Sequence, residues 1–412
     1  MELDCLWGMM PTFLQRGLTE VRRRIRCMGG GSSSAGANIG LRRSRALASM
    51  CGKLALGAVA LGLAAPAWGA AENGGLGLLP IGDQYPIKLR YLTFAPEPVL
   101  ALPEGTFQLD YQFSVANTIV NTQYKPRNGT PTIAQAQVDA GLTAANFPTT
   151  GFGAYLDMET DRNLIRFRWG VGDGVELGLD QGWVSFGGGG LDSAISGVES
   201  VFNGENPERK GVANNQFHYY LYHNGHALIA TSSPVDNVPQ DPVVSMKWNL
   251  TPGGEVMPAV SVRLAYKAPL DSAKSVSRSL VSSGHDDFGY SVMFSKAVGR
   301  VVAHLQLGES LLSGVGNDYV PSMRHQFFGL EYRSSSTSSW IIQTSSQVTI
   351  LNVGNVSGNS TDFQISRPAD VASLGYKWAG KTFHGDLGFS EDYNSRDNTT
   401  DIVLFFDLGW KW

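Results

Sequence analysis

The stretch that decides the fold is residues 165–180, IRFRWGVGDGVELGLD. On both sides of the GDG triplet at 172–174, apolar residues alternate with charged residues or glycine. Alternate side chains of an extended strand point to opposite faces. The stretch therefore predicts a β-hairpin with one apolar face and one charged face.

The same alternation returns along most of the chain on both sides of this hairpin. Period-two alternation is compatible with a β-sandwich as well as with a β-barrel. The predicted strands cover residues 106–119, 155–171, 175–186, 214–223, 226–233, 242–250, 258–268, 286–296, 300–311, 323–333, 339–350, 370–378, 381–391 and 401–412.

The connections between these strands distinguish the two architectures. Long connections such as 120–154 and 187–213 alternate with short turns such as 172–174 and Asn224-Gly225. Short turns at one end and long loops at the other are typical of bacterial outer-membrane barrels. The sequence therefore predicts an all-β fold, a single antiparallel up-and-down transmembrane β-barrel of about 14 strands (range about 12–14), with both termini periplasmic.

The composition excludes several other classes of protein. The 412 residues carry a formal net charge of −4, and only 17% of them are charged. This balance argues against a disordered acidic protein and against a nucleic-acid binder. The three cysteines all precede residue 72, so a disulfide framework and a Cys-ligated zinc site are excluded from the rest of the chain. These cysteines are Cys5, Cys27 and Cys51.

A signal peptide explains the different composition of the N-terminal region. Basic residues precede an apolar run at 54–65 (LALGAVALGLAA), and small residues follow it. This order is typical of a secretory signal peptide. We expect the signal peptide at 50–71, with cleavage near Ala70 or Ala71. Residues 1–49 are then a non-native or disordered upstream extension.

Between the signal peptide and the barrel lies a segment rich in proline and glycine, residues 72–105. It lacks sustained alternation, so we expect an irregular lead-in with one short strand at 87–94, or a plug threaded into the lumen. The barrel itself is predicted to occupy residues 106–412.

Charges of both signs recur on the predicted inward face of the barrel. They imply either a hydrated interior or a polar lattice that plugs it, because a barrel of this size accommodates both. In the hairpin, Arg166 should form an ion pair with Asp180, with Arg168 diagonal to Glu176 and Asp180. The predicted lumenal charges are Asp110, Arg166, Arg168, Glu176, Asp180, Arg263, Lys267, His304, Asp386 and Asp407.

Signals for catalysis or metal binding are weak. His218, His223 and His226 lie close together in sequence, and both a metal site and a polar barrel rim fit such a group. Their phase along the strand favours the rim. Residues 72–412 contain no G-x-S-x-G nucleophile motif. We predict no catalytic residue, no metal ligand and no cofactor.

The last predicted strand, FFDLGWKW at 405–412, ends on an aromatic residue. It resembles the terminal signature of outer-membrane barrel proteins, which implies that the barrel-insertion machinery binds it as an added strand. The residues that carry this resemblance are Phe406, Leu408, Trp410 and Trp412.

Further motifs resemble the bacterial family known as domain of unknown function 3187, over most of residues 78–412. The resemblance implies a barrel of the cell envelope, and it carries no known activity and no catalytic residues. The motifs are Pro80-Ile81, Asp83-Gln84-Tyr85-Pro86, Leu102-Pro103-Glu104-Gly105, Asn117-Thr118 and the hairpin at 166–180.

Three functions remain compatible with these observations. The favoured one is a passive channel or uptake route for small solutes, because the lumen carries mixed charge without a catalytic grouping. The alternatives are a non-transporting structural or surface-binding envelope protein and an outer-membrane enzyme that acts on lipid. The expected partners are outer-membrane lipid, the barrel-insertion machinery and a small-molecule solute, and no nucleic acid.

Deletion of Trp410–Trp412 is expected to impair insertion, because it shortens the last strand and opens a sheet edge. Membrane fractionation and heat-modifiable mobility on a gel measure insertion and folding. A shortened chain that fractionates and shifts on heating like the full chain would contradict this prediction.

Overall fold

The computed structural model describes residues 74–121, 133–147, 149, 151–193, 195, 213–316, 319–348, 350–351, 368–393 and 399–412. The predicted upstream extension at 1–49 and signal peptide at 50–71 lie outside these residues and stay predictions. Two short helices have both of their ends within the described residues, α1 (Gln135–Asp139) and α2 (Val276–Val281), and each lies in a connection between strands. No helix in the described part of the chain is long and apolar enough to cross a membrane.

β-Strands make up most of the described chain. They are β1 (Phe107–Asn121), β2 (Phe152–Gly172), β3 (Val175–Gly187), β4 (His218–His223), β5 (His226–Thr231), β6 (Val235–Pro239), β7 (Val243–Pro252), β8 (Ala259–Lys267), β9 (Asp287–Val298), β10 (Val301–Leu312), β11 (Ser322–Arg333), β12 (Ser338–Gln347), β13 (Ala369–Ala379), β14 (Phe383–Asp392) and β15 (Ile402–Lys411).

Twelve of the described strands close into a ring. In the order β1, β2, β3 and then β7 to β15, each strand pairs antiparallel with the next. The ring closes where β15 pairs with β1, from Gln108 opposite Lys411 to Asn117 opposite Ile402. The predicted all-β antiparallel barrel is therefore confirmed, with its strand number at the lower end of the predicted range.

Three short strands lie outside the ring. The strands predicted at 214–223 and 226–233 form a hairpin, β4–β5, and not two strands of the wall. β4 pairs with β2 from Phe152 to Asp157, beyond the point where β3 ends. It thereby covers a sheet edge that β3 leaves unpaired. Local alternation is the same in both arrangements, so the sequence did not distinguish them.

Short turns join the ring strands at one end of the barrel, and long connections join them at the other end, as expected from the sequence. The two-residue turn Asn224-Gly225 has φ of 49° and 76°, the positive values that this hairpin turn requires. It joins β4 to β5 and follows His223, which pairs with Phe152 at the long-connection end of β2. The prediction that it is one of the short turns between wall strands is therefore wrong. The backbone of Phe107 exchanges two hydrogen bonds with that of Trp412, so β1 begins where the chain ends, at the short-turn end.

Each ring strand presents apolar side chains outward and mostly polar side chains inward. On β10, Leu305 and Leu307 are exposed on the outside, whereas His304 and Gln306 are buried inside. Aromatic rings gather near the short-turn end of the outer surface, where Phe107 stacks on Trp169 with ring centroids 5.6 Å apart. An apolar exterior with aromatic residues near its edge is the surface of a membrane-spanning barrel.

Residues 74–105, named the lumenal segment from here on, lie inside the ring. The predicted strand at 87–94 is absent from this described segment, and a 3-10 turn occupies Lys88–Arg90 instead. Leu78 and Leu79 pack against inward-facing wall residues. Two inward-facing glycines make room for them. A Cβ at Gly329 would clash with Leu78, and one at Gly375 would lie 2.7 Å from Leu79.

The lumenal segment runs as a loop that enters and leaves at the short-turn end. Its first described residues contact Glu331 near the end of β11, and Gly105 donates a backbone hydrogen bond to Gly170 at the end of β2. Between these points the segment reaches the outer half of the barrel. There Tyr85, Ile87 and Leu89 belong to a large apolar core with wall residues of β1, β2 and β3.

An arginine on the outer face should destabilise the barrel according to its depth. Leu307 lies in the middle of β10 and Val301 at its short-turn end, and both are 41% exposed. We expect Leu307→Arg to lower the free energy of unfolding by about 2–4 kcal/mol and Val301→Arg by about 0–1 kcal/mol. Guanidinium unfolding in lipid vesicles measures both values, and equal losses would contradict a membrane-facing surface.

Candidate functional site

The interior of the ring is where the lumenal segment meets the wall, and it forms the candidate site. Backbone N–H groups of the segment donate hydrogen bonds to side chains of four different strands. Carboxylate and amide oxygens of the wall thus accept the backbone hydrogen bonds that a neighbouring strand would accept in a sheet. The pairs are Leu76 to Glu331 (2.8 Å), Leu79 to Gln343 (2.9 Å), Leu92 to Asp287 (3.0 Å) and Leu102 to Glu176 (2.9 Å).

Lysine side chains of the wall donate hydrogen bonds to backbone carbonyls of the segment. Lys377 donates from its Nζ to the carbonyl of Leu78 at 2.9 Å. On the other side of the lumen, Lys267 donates to the carbonyl of Arg90 at 3.1 Å. Wall side chains therefore accept hydrogen bonds from the backbone of the segment and also donate hydrogen bonds to it.

Glu97 makes ionic contacts with three cations of the wall. Its carboxylate lies 2.6 Å from Arg168, 3.1 Å from Arg263 and 3.8 Å from Lys247. These four residues are named the Glu97 cluster. Burial alone would raise the pKa of Glu97, but the three cations outweigh burial and hold the pKa of this carboxyl well below its ordinary value. Glu97 is therefore an anion that ties the segment to β2, β7 and β8.

The hairpin at 165–180 has the predicted register, with Arg166 directly opposite Asp180. The predicted ion pair between these two residues is wrong, because Arg168 binds Asp180 and Arg166 binds Asp407 of β15. The cause lies in the neighbouring strands. Asp110 and Gly409 share a layer with Arg166, and Gly409 has no side chain to obstruct the reach toward β15.

A second group of ionisable residues lies beside this contact. His384 is 2.7 Å from Asp110, and ligand atoms of Asp110, His384 and Asp407 all lie within 4.8 Å of one another. The carboxylates already accept hydrogen bonds from Gln108 and Arg166. These existing donors fit a network of ion pairs better than a metal centre. His384 lies two residues before Asp386 on the same face of β14, so the signal for it was available and was missed.

All ten charges predicted for the lumen lie on the inward face of the ring, and the role assigned to them stays a prediction. Asp180 is the least enclosed, with 18% of its side chain exposed. The other nine are buried, namely Asp110, Arg166, Arg168, Glu176, Arg263, Lys267, His304, Asp386 and Asp407.

Several lumenal charges were missed. Lys247, Glu331 and Lys377 follow the same alternation as the predicted residues, so the signal was available. Glu97 lies in an irregular segment, where periodicity gives no direction for a side chain. The residues proposed as an insertion signal are exposed on the outer face of β15 and at the residue that follows it, and their role stays a prediction. They are Phe406, Leu408, Trp410 and Trp412.

Apolar outside, polar inside and closed on itself, the ring defines a membrane-spanning β-barrel whose lumen holds a segment of its own chain. The profile of the family described as protein of unknown function DUF3187 matches residues 55–412. The chain belongs to this family, as its motifs indicated. No curated protein matches the chain in sequence.

The chain is also similar to solved structures of bacterial membrane proteins. One is the COG4313 outer membrane channel from Pseudomonas putida F1, with 8% identity, coverage of 78% of this chain and 100% of that chain, and a TM-score of 0.46. Another is the Pseudomonas putida toluene transporter TodX, with 10% identity, 83% and 95% coverage, and a TM-score of 0.31. At these sequence identities and TM-scores, the compounds carried by those proteins have no bearing on this chain.

Gly178 should be required for the position of Arg168. A Cβ at Gly178 would lie 2.5 Å from the Ser245 hydroxyl and 3.0 Å from the Arg168 guanidinium, whereas one at Gly172 meets nothing within 4 Å. We expect Gly178→Ala to lower the free energy of unfolding by about 1–3 kcal/mol, as overpacking does. Gly172→Ala is the matched control and should change little. Equal denaturation midpoints for the two variants would contradict the assigned packing.

Proposed function

We propose that this protein is a channel of the bacterial outer membrane that admits small solutes when the lumenal segment leaves the lumen. A passage is supported by the size of the ring. About eight strands leave an interior that side chains fill, and about 16–18 strands leave an open aqueous channel. A ring of twelve strands lies between these sizes, with room for one additional stretch of chain.

The observation that carries this proposal is how the lumenal segment is held. In the half near the short turns, hydrogen bonds and ion pairs such as those of Leu76 and Glu97 hold the segment, beside apolar contacts of Leu78 and Leu79 with the wall. Water replaces such contacts with charged groups at a net cost of about 1.5–3 kcal/mol per hydrogen bond. A segment paired in a sheet ladder would be far harder to remove.

The path of the segment also favours a removable plug. Both of its ends lie at the short-turn end, so it is able to withdraw without threading the chain through the barrel. Location in the outer membrane is supported by the closed ring and its apolar exterior. In this location the short turns and the segment face the periplasm, as in bacterial barrels generally.

A second candidate is a non-transporting envelope protein, and one observation favours it. The outer half of the lumen is filled by an apolar core in which Tyr85, Tyr219 and Leu280 are almost fully buried. Opening would expose this core to water, at about 25 cal/mol for each Å² of apolar surface. A permanently closed barrel would need no such exposure.

Conductance in planar bilayers tests the proposed channel, and Glu97→Gln is the variant to compare with the wild type. Glu97→Gln leaves Arg168 and Arg263 without their shared carboxylate, and breaking a buried ion pair costs roughly 3–5 kcal/mol. We therefore expect openings to become at least about tenfold more frequent than in the wild-type protein. Glu104→Gln is the matched control, because Glu104 belongs to the same segment and is exposed.

The same experiment separates the two candidates. A variant without residues 76–101, shown to be folded by its heat-modifiable mobility, should conduct continuously if the segment is the plug. If this folded variant and Glu97→Gln both remain silent, the channel is excluded and the non-transporting protein is favoured.

A further inference from the structure

A small cavity lies between the lumenal segment and strands β2, β3 and β8, and its volume is about 60 Å³. This is the space of about two water molecules. It is named the lumenal cavity. Three arginines line this cavity, together with Phe94 and Leu164. Three cations around one enclosed space are unusual. They are Arg162, Arg166 and Arg263.

Arg162 carries a charge that the described protein does not balance at short range. Its Nε donates a hydrogen bond to the neutral Oε1 of Gln240 at 2.8 Å. Among the described residues no carboxylate lies within 4.0 Å of its guanidinium, whereas each other arginine of the cavity has one. Its side chain is half-buried, and cations withdrawn from water in a protein are normally paired. The free N–H groups of Arg162 are therefore available to a ligand in the cavity.

The other two arginines each keep one donor unused. Arg166 binds Asp407, and Arg263 binds Glu97 and Asp180. Both side chains are more than nine-tenths buried, and the Nε of each has no hydrogen-bond partner. Buried polar atoms nearly always have a partner, and these two donors belong to arginines that line one cavity.

The carboxylates that line the cavity are already engaged. Asp180 binds Arg168, and Glu97 binds Arg168 at 2.6 Å. Asp241 lies 3.2 Å from Lys267. Asp83 binds Lys88. The unsatisfied groups are thus donors on cations, and a ligand that supplies acceptor oxygens and negative charge is the one that fits.

We propose that the lumenal cavity is a binding site for the carboxylate of a small organic acid. A carboxylate is planar and presents two oxygens, the geometry that guanidinium groups bind best. The apolar Phe94 and Leu164 suit the carbon atoms of such a ligand. The assignment of this acid as the transported solute rests on the proposed channel function.

This site also connects solute binding to the plug. The carboxylate of Glu97 already forms an ion pair with Arg263, at 3.1 Å. A solute carboxylate in the lumenal cavity shares Arg263 and draws it away from Glu97. Binding therefore weakens one of the contacts that hold the lumenal segment, and it favours opening.

Acetate binding to the purified full-length barrel in detergent tests the site. Calorimetric titration at constant ionic strength should detect acetate binding to the wild-type protein and no binding of acetamide, which has the same shape without the charge. Arg162→Met should weaken acetate binding by roughly tenfold or more, and Arg162→Lys should restore part of it. Arg324→Met is the matched control, because the Arg324 side chain is 70% exposed on the barrel surface.

Three outcomes would overturn the site. They are an absence of acetate binding to the wild type, equal affinity in Arg162→Met, and binding of chloride or phosphate in preference to acetate. The bilayer experiment is independent of this titration. Acetate binding without currents would retain the site and refute the channel, whereas currents without acetate binding would retain the channel and refute the site.

Discussion

The pairing of β1 with β15 is the interaction on which the rest of the structure depends. Each backbone N–H or C=O left unpaired in hydrocarbon costs several kcal/mol, at about the level of a lost hydrogen bond in an apolar medium. Closure removes both edges from the ring. It also imposes the two faces of every strand, because an apolar exterior leaves the polar side chains to the interior.

Closure at twelve strands creates the next constraint, an interior too wide for wall side chains to fill. The lumenal segment occupies this space, and the wall is adapted to it. Gly329 and Gly375 admit leucines of the segment, and side chains such as Glu331 and Lys377 bind its backbone. The wall and the segment therefore form one packed unit with a polar half and an apolar half.

The charges of the lumen act as a network and not as separate pairs. Arg168 contacts Glu97, Glu176 and Asp180, and Arg263 contacts two of the same three acids. Buried ion pairs contribute little net stability, since desolvation offsets their attraction. Their value here is positional, because they hold the segment at one place against the wall. Within the described part of the chain, Arg162 has no carboxylate partner in this network, and its guanidinium is the group that binds an anion in the proposed site.

Alternation in the sequence by itself determined the twelve strands of the ring, their two faces and the register of the hairpin at 165–180, because side-chain direction along a strand is a local property. It did not reveal β6, which falls in a stretch predicted as a loop. It also located most lumenal charges. Only the tertiary structure decided that β4 and β5 leave the ring, that Arg166 pairs with Asp407 past Gly409, and that Glu97 meets three cations from different strands. These contacts join residues far apart in the chain, and the space that permits them is created only when the ring closes.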